Sequence, residues 1–143
     1  MEGFKAIPIN KRYLISNGGI IYDTKRNNFK NVHNNGWGYL YASLMSNNKA
    51  KLYPVHRLVA ITYLPNVNYS QLEVNHFDGN KLNNNISNLE WLTHSQNIQH
   101  SYDSLGRIPP KLLKQRIVKQ RLYPKYKEPK QYYLISLTKA KAI

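Results

Sequence analysis

The sequence predicts an α+β chain: a small N-terminal β module, a segment of strands and helices around an irregular loop, and a basic, partly helical C-terminal tail. Three observations support this. Asn- and Gly-rich turn clusters punctuate short alternating runs before residue 50. The stretch from Leu72 to Tyr102 reads as strand, turn-rich loop, strand and helix. Charge is uneven: residues 1–50 carry seven Lys/Arg and two acids, residues 51–106 three and four, and residues 107–143 eleven and one. The expected domains are therefore 1–50, 51–106 and 107–143.

In chain order, Tyr13–Ser16 and Ile20–Tyr22 flank Asn17-Gly18-Gly19, a short hairpin signal. From Trp37 to Met45 the pattern alternates, with Trp37, Tyr39, Tyr41 and Ser43 on one side and Leu40, Ala42 and Leu44 on the other. Ser46-Asn47-Asn48-Lys49 then turns the chain into a strand over Ala50–Val55. The outer face of this sheet carries Tyr and Lys side chains; it fits either a half-buried aromatic face or a surface lying on DNA. His56 to Tyr63 has helical spacing and stops before Pro65, with Leu58, Val59 and Thr62 set to pack on the sheet. His56 is either structural at this junction or in touch with the site. Leu72–Val74 is a strand delivering Asn75 and His76, and Asn88–Leu92 is its return. Thr93 and Gln96 make a capping box, placing Asn97 early in a helix that runs to about Leu105, with Gly106 as its C′ residue. Beyond Pro109-Pro110, Lys111–Tyr123 reads as a helix ended by Pro124, Lys125–Lys130 as extended, and Gln131–Leu137 as a final strand.

Composition narrows the function. The chain has 143 residues, no cysteine and a formal net charge of +14. Without cysteine there are no disulfides, thiolate zinc sites or thiol nucleophiles. No apolar run reaches the length of a membrane span, and the N-terminal Met-Glu-Gly-Phe-Lys-Ala is expected to be no signal peptide. Basic flanks around a nearly neutral centre fit a polyanion, most simply nucleic acid; a solvated basic face or an anionic membrane surface is the alternative.

The centre offers a particular chemistry. Phosphodiester hydrolysis needs an activated water and something to neutralise charge on the phosphate and leaving oxygen. A neutral histidine near pH 7 suits the first task and a divalent cation the second. His76 and Asn75 are neighbours at a strand end, and Asn97 on a facing helix can add an amide oxygen. Neutral oxygen ligands suit Mg²⁺, which keeps much of its water and is completed by substrate phosphate.

The run Val74-Asn75-His76-Phe77-Asp78-Gly79-Asn80-Lys81-Leu82-Asn83-Asn84, followed by Asn88-Leu89-Glu90-Trp91 and Thr93–Asn97, resembles phage and intron-encoded HNH homing endonucleases with a ββα-metal centre. Val55–Ala60 is similar to the helix entering that domain. Phe4-Lys5-x-Ile7 with Tyr13–Asn17 and Gly19 resembles the NUMOD4 β module that often precedes it. The resemblance implies that residues 51–106 are an HNH ββα-metal nuclease domain. It implies His76 as general base, Asn88 as the central Asn bracing the His76 loop, and Asn75 and Asn97 as ligands of a single Mg²⁺ or Mn²⁺, with no structural zinc. Some relatives carry Asp at the position of Asn75, and Phe4 stands where the β module usually has Trp. His94 and His100 are open; His100 lies three residues after Asn97 and is expected to be no ligand.

The function expected is endonucleolytic cleavage of double-stranded DNA, most simply nicking by a monomer or weak dimer, in the cytoplasm of a bacterial or phage-infected cell. Arg57, Lys81, Arg107, Lys111, Lys114, Arg116 and Arg121 are the candidate DNA contacts. The alternative is a DNA-binding regulator with a degenerate HNH site, a reading favoured by the neutral Asn75.

Overall fold

The computed structural model describes residues 2–110. The helix, extended segment and strand expected after Lys111 lie outside them. So do four of the candidate DNA contacts, Lys111, Lys114, Arg116 and Arg121.

Four strands, β1 (Phe4–Ile7), β2 (Asn10–Ser16), β3 (Ile21–Asp23) and β4 (Asn28–Phe29), form an antiparallel sheet in sequence order. The Asn17-Gly18-Gly19 turn joins β2 to β3. Gly19 has φ +90°, and a Cβ there would lie 2.7 Å from Val55 Cγ1, so both backbone and packing require glycine. A second sheet contains β5 (Val32–Asn34), β6 (Leu40–Ser46) and β7 (Lys49–Pro54). Asn47 and Asn48, at φ 49° and 60°, make the tight turn between β6 and β7, a conformation Asn tolerates better than most residues. Helix α1 (Val55–Tyr63) follows directly. A two-stranded ladder of β8 (Glu73–His76) and β9 (Leu89–Leu92), then helix α2 (His94–Asp103), complete an α+β fold.

The alternation expected from Trp37 holds only from Leu40 onward. Ala42 and Leu44 are fully buried, whereas Trp37 is 80% exposed in the turn before β6. The Asn35 side chain accepts from the amides of Trp37 and Tyr39 and rounds that turn off, so the strand starts three residues later than the pattern suggests. Helix α2 ends at Asp103 with Ser104 as its C-cap, so Gly106, at φ +66°, stands beyond the helix rather than at C′.

The line expected between residues 50 and 51 runs through β7, where Ala50 pairs with Met45. One core of Ile7, Tyr13, Ile15, Ile21, Ala42, Leu44, Val55, Leu58, Val59, Ala60, Val74 and Leu89 spans both sides of it. The Tyr13 hydroxyl accepts from the Met45 amide at 2.9 Å, and the Ile86 amide donates to Asn17 O at 2.8 Å. Met1–Gly106 is accordingly one compact unit. The β module and the β8–β9–α2 segment share a core because neither has enough apolar surface for its own. Helix α1 is the common support: Leu58 and Val59 are buried, each burial contributing about 1.5–3 kcal/mol. The helix touches strands of both sheets and of the β8–β9 ladder. Among the described residues no helix is long and apolar enough to cross a membrane.

Candidate active site

The β8–β9 ladder carries the candidate residues on two faces. Side chains alternate along a strand, and residues paired across the ladder share a face. Glu73 and Asn75 therefore lie on one face, with Glu90 opposite Asn75. Val74 and His76 lie on the other, with Leu89 opposite His76.

On the second face His76 is 5% exposed. Its ring packs 5.1 Å, centroid to centroid, from His56 of α1 and 6.1 Å from Tyr39. Burial lowers its pKa; the Asn84 side chain and then the Asp78 charge partly oppose this, and Lys81 adds to the lowering. The imidazole is therefore neutral near pH 7. Nε2 lies 3.2 Å from Asn84 Oδ1, and Asn84 is itself buried. With Oδ1 as acceptor, Nε2 carries the hydrogen and the lone pair stays on Nδ1. His56, open in sequence, is in touch with the site. Burial first, then the neighbouring His76 and Arg57, push its pKa down to about 4. It adds a second uncharged ring to this side of the centre.

The loop after His76 is held by Asn88. Asn88 Oδ1 accepts from the Asp78 amide at 3.0 Å, while its Nδ2 donates to Asp78 Oδ1 and Asn83 O at 2.9 and 3.0 Å. The Phe77 amide donates to Asn88 O at 2.9 Å. Asp78 also accepts from the Asn83 side chain and the Asn80 amide, which hold its carboxyl below the usual range. Gly79 turns the chain at φ +71°, where a Cβ would lie 2.8 Å from Leu105 Cδ2.

On the first face Asn75, 6% exposed, donates from Nδ2 to Glu90 Oε1 at 2.8 Å. Asn97, in the first turns of α2, donates from Nδ2 to Glu73 Oε2 at 2.6 Å. Glu73 Oε1 meets His94 Nδ1 at 2.7 Å. Asn97 and then His94 hold the Glu73 carboxyl below its ordinary pKa. The capping box positions α2: Thr93 Oγ1 accepts from the Gln96 amide, and the Thr93 amide donates to Gln96 Oε1. Both Asn side chains thus have their nitrogens held by carboxylates, and their Oδ1 atoms accept nothing from the described residues. Two amide oxygens of this kind are hard, neutral donors and fit a divalent cation that brings its own water. The described residues contain no group of three or more His, Cys, Asp or Glu placed to hold a metal.

The remaining candidates divide. Arg57 is turned onto its own chain, donating to Leu72 O and Tyr69 O with its guanidinium 5.3 Å from the Trp91 ring centre. These contacts tie it to the 66–72 loop. Lys81 lies 4.5 Å over the Tyr39 ring and donates to Trp37 O, beside the His76 pocket. Arg107 is exposed. His100 packs against Phe77, and its two ring nitrogens are buried without a partner among the described residues. Spacing did not reveal Glu73, Glu90 or Asn84 as site residues. Cross-strand register signals the first two only once the ladder is known.

A family model described as HNH endonuclease matches residues 53–99, which contain Asn75, His76, Asn88 and Asn97. The chain is 41% identical over 99 residues to an uncharacterized HNH endonuclease, L245, of Acanthamoeba polyphaga mimivirus, covering 69% of this chain and 30% of that protein. It is 39% identical over 95 residues to the H-N-H endonuclease F-TflII of Escherichia phage T5, covering 65% and 49%. It is 36% identical over 88 residues to the DNA endonuclease I-HmuI of Bacillus phage SP01, covering 62% and 50%. The chain thus spans half or less of the length of these curated relatives. The solved structure of I-HmuI, reported for DNA binding and cleavage by that homing endonuclease, superposes with a TM-score of 0.69 at 33% identity, covering 85% of this chain and 68% of that one. With a third of residues shared across two thirds of a solved homologue, and the matched segment centred on the β8–β9–α2 site, this chain belongs to the HNH endonuclease family.

Proposed function

We propose that this chain is a divalent-metal-dependent endonuclease that nicks double-stranded DNA, of the homing or mobile-element kind. One observation carries the proposal: a neutral, buried His76 and a carboxylate-held Asn75 are neighbours on one short ladder, and Asn97 of α2 is held through its amide nitrogen by Glu73 of the same ladder. Its family membership and its charge of +14 support the same reading.

In this mechanism His76 is the general base. Its Nε2–H is held by Asn84, so Nδ1 accepts the proton of the attacking water. Burial keeps it unprotonated at neutral pH. Asn75 and Asn97 would hold Mg²⁺ or Mn²⁺ through their Oδ1 atoms. The cation supplies Lewis-acid stabilisation of the scissile phosphate and the leaving oxygen. Asn88 keeps the 77–83 loop, and with it the His76 backbone, in one conformation. Lys81, Arg107, Lys111, Lys114, Arg116 and Arg121 contact phosphates, which positions the duplex without reading its sequence. A single centre among the described residues would make a monomer a nickase, at work in the cytoplasm of the cell that holds its target DNA.

The test is plasmid nicking with and without Mg²⁺ or Mn²⁺, for the wild-type chain and His76→Ala. Metal-dependent nicking that disappears in the variant is the expected result. A wild-type chain that binds DNA but cuts none under any divalent metal would leave the regulator reading, which the uncharged Asn75 favours. A variant that cuts like wild type would remove His76 as the base.

A further inference from the structure

We propose that Glu90 is a positioning residue of the metal centre, supplying the negative charge that Asn75 lacks. The idea rests on the metal-dependent reading above.

Glu90 stands directly opposite Asn75 in the β8–β9 ladder, with its Oε1 2.8 Å from Asn75 Nδ2. An ionised carboxylate only accepts hydrogen bonds, so it can face only the NH₂ end of an amide. The contact therefore decides which way the Asn75 side chain is flipped. Oδ1, the atom able to ligate a cation, is turned away from Glu90. Glu73 treats Asn97 in the same way, at 2.6 Å. Two carboxylates hold two amides from behind, and the same polarity twice makes the arrangement more than a single adventitious contact.

The contact also moves charge. A hydrogen bond donated to an anion is charge-assisted, and it polarises the amide so that electron density rises on Oδ1. Where a carboxylate at position 75 would put its charge on the ligand atom, this chain holds it one hydrogen bond behind. Glu73 shares its charge with His94, which lies 2.7 Å from Oε1. Among the described residues Glu90 has no basic partner, so its charge stays with Asn75.

The prediction is reciprocal. Glu90→Gln keeps an acceptor oxygen opposite Asn75 but removes the charge. Asn75→Asp alone sets two carboxylates against each other across the ladder. Combining Asn75→Asp with Glu90→Gln rebuilds a donor–acceptor pair with the roles exchanged. Mn²⁺ is titrated into the full chain, alone and with a DNA duplex, and free Mn²⁺ is followed by its electron paramagnetic resonance; thermal melting is recorded in parallel. Glu90→Gln is expected to weaken Mn²⁺ binding by roughly tenfold or more, the scale of an outer-shell partner, with little change in melting. Nicking by this variant should return at high Mn²⁺, which a merely structural defect would not allow. The double variant should recover most of the affinity. The proposal is overturned if Glu90→Gln binds Mn²⁺ like wild type, or if the double variant binds no better than Glu90→Gln. If the wild-type chain binds no Mn²⁺ in either setting, the metal-dependent reading itself fails, and this inference with it.

Discussion

The two faces of the β8–β9 ladder differ in almost everything but their backbone. One is largely buried: His76 lies among His56, Tyr39 and Asn84, with Lys81 over the Tyr39 ring. The other is polar and anionic: Asn75 and Asn97 are backed by Glu90 and Glu73, under α2. Under the proposed mechanism the two faces would serve opposed requirements. A base at His76 must be unprotonated at pH 7, and its burial disfavours the imidazolium. A cation held by Asn75 and Asn97 would be attracted by the carboxylates of Glu90 and Glu73 behind them. If carboxylates lined both faces, the histidine would stay protonated and the base would be lost.

Perturbing one face at a time tests this separation. The largest effect belongs to the His76 face. His76→Ala should lower nicking by ~10²–10⁴-fold, the usual contribution of a general base, and excess Mn²⁺ should not restore it. Next comes acid stability. The His56 pKa is about 4 in the fold and 6.5 when exposed, so the unfolded chain binds the extra proton between those values. Stability is therefore fully present above pH 6.5 and falls as pH drops through 4, by up to about 3 kcal/mol from this group. Denaturant titrations across that range check this, and His56→Gln should flatten the curve. On the anionic face, Asn97→Ala should weaken Mn²⁺ binding by roughly 10–100-fold and respond to added metal, unlike His76→Ala; equal metal rescue of both variants would erase the distinction between the faces. The smallest effect is Thr93→Ala, which removes one side of the capping box and should cost about 1 kcal/mol, seen in melting. It frays α2 alone, so it should loosen metal binding and leave the pH dependence of nicking unchanged.

The local frame of this site was legible in the sequence, because short patterns fix it. The Asn-Gly-Gly turn, the Thr93/Gln96 capping box and the two strands that deliver Asn75 and His76 and bring the chain back are each encoded within a few consecutive residues. The partners that tune the site were not legible. Glu90 meets Asn75 through strand register, Asn84 reaches His76 by the path of an irregular loop, and His56 arrives from a different helix. Spacing carries no information about such contacts. Arg57 shows the same limit from the other side: an arginine in a basic chain invites a phosphate, yet here carbonyls fifteen and twelve residues away claim it. Trp37 was misplaced because Asn35 rounds off a turn within what reads as continuous alternation.

The hairpin of β6 and β7 crosses what looked like a border between modules, and the core beneath it is held in common. Excising residues 51–106 would strip Val55, Leu58 and Val59 of the Ile15, Ile21 and Leu44 they pack among. The nuclease centre is thus not a cassette that can be cut out and pasted onto another DNA-binding protein by itself. Moving the centre with its packing intact means carrying residues 4–106 as one block.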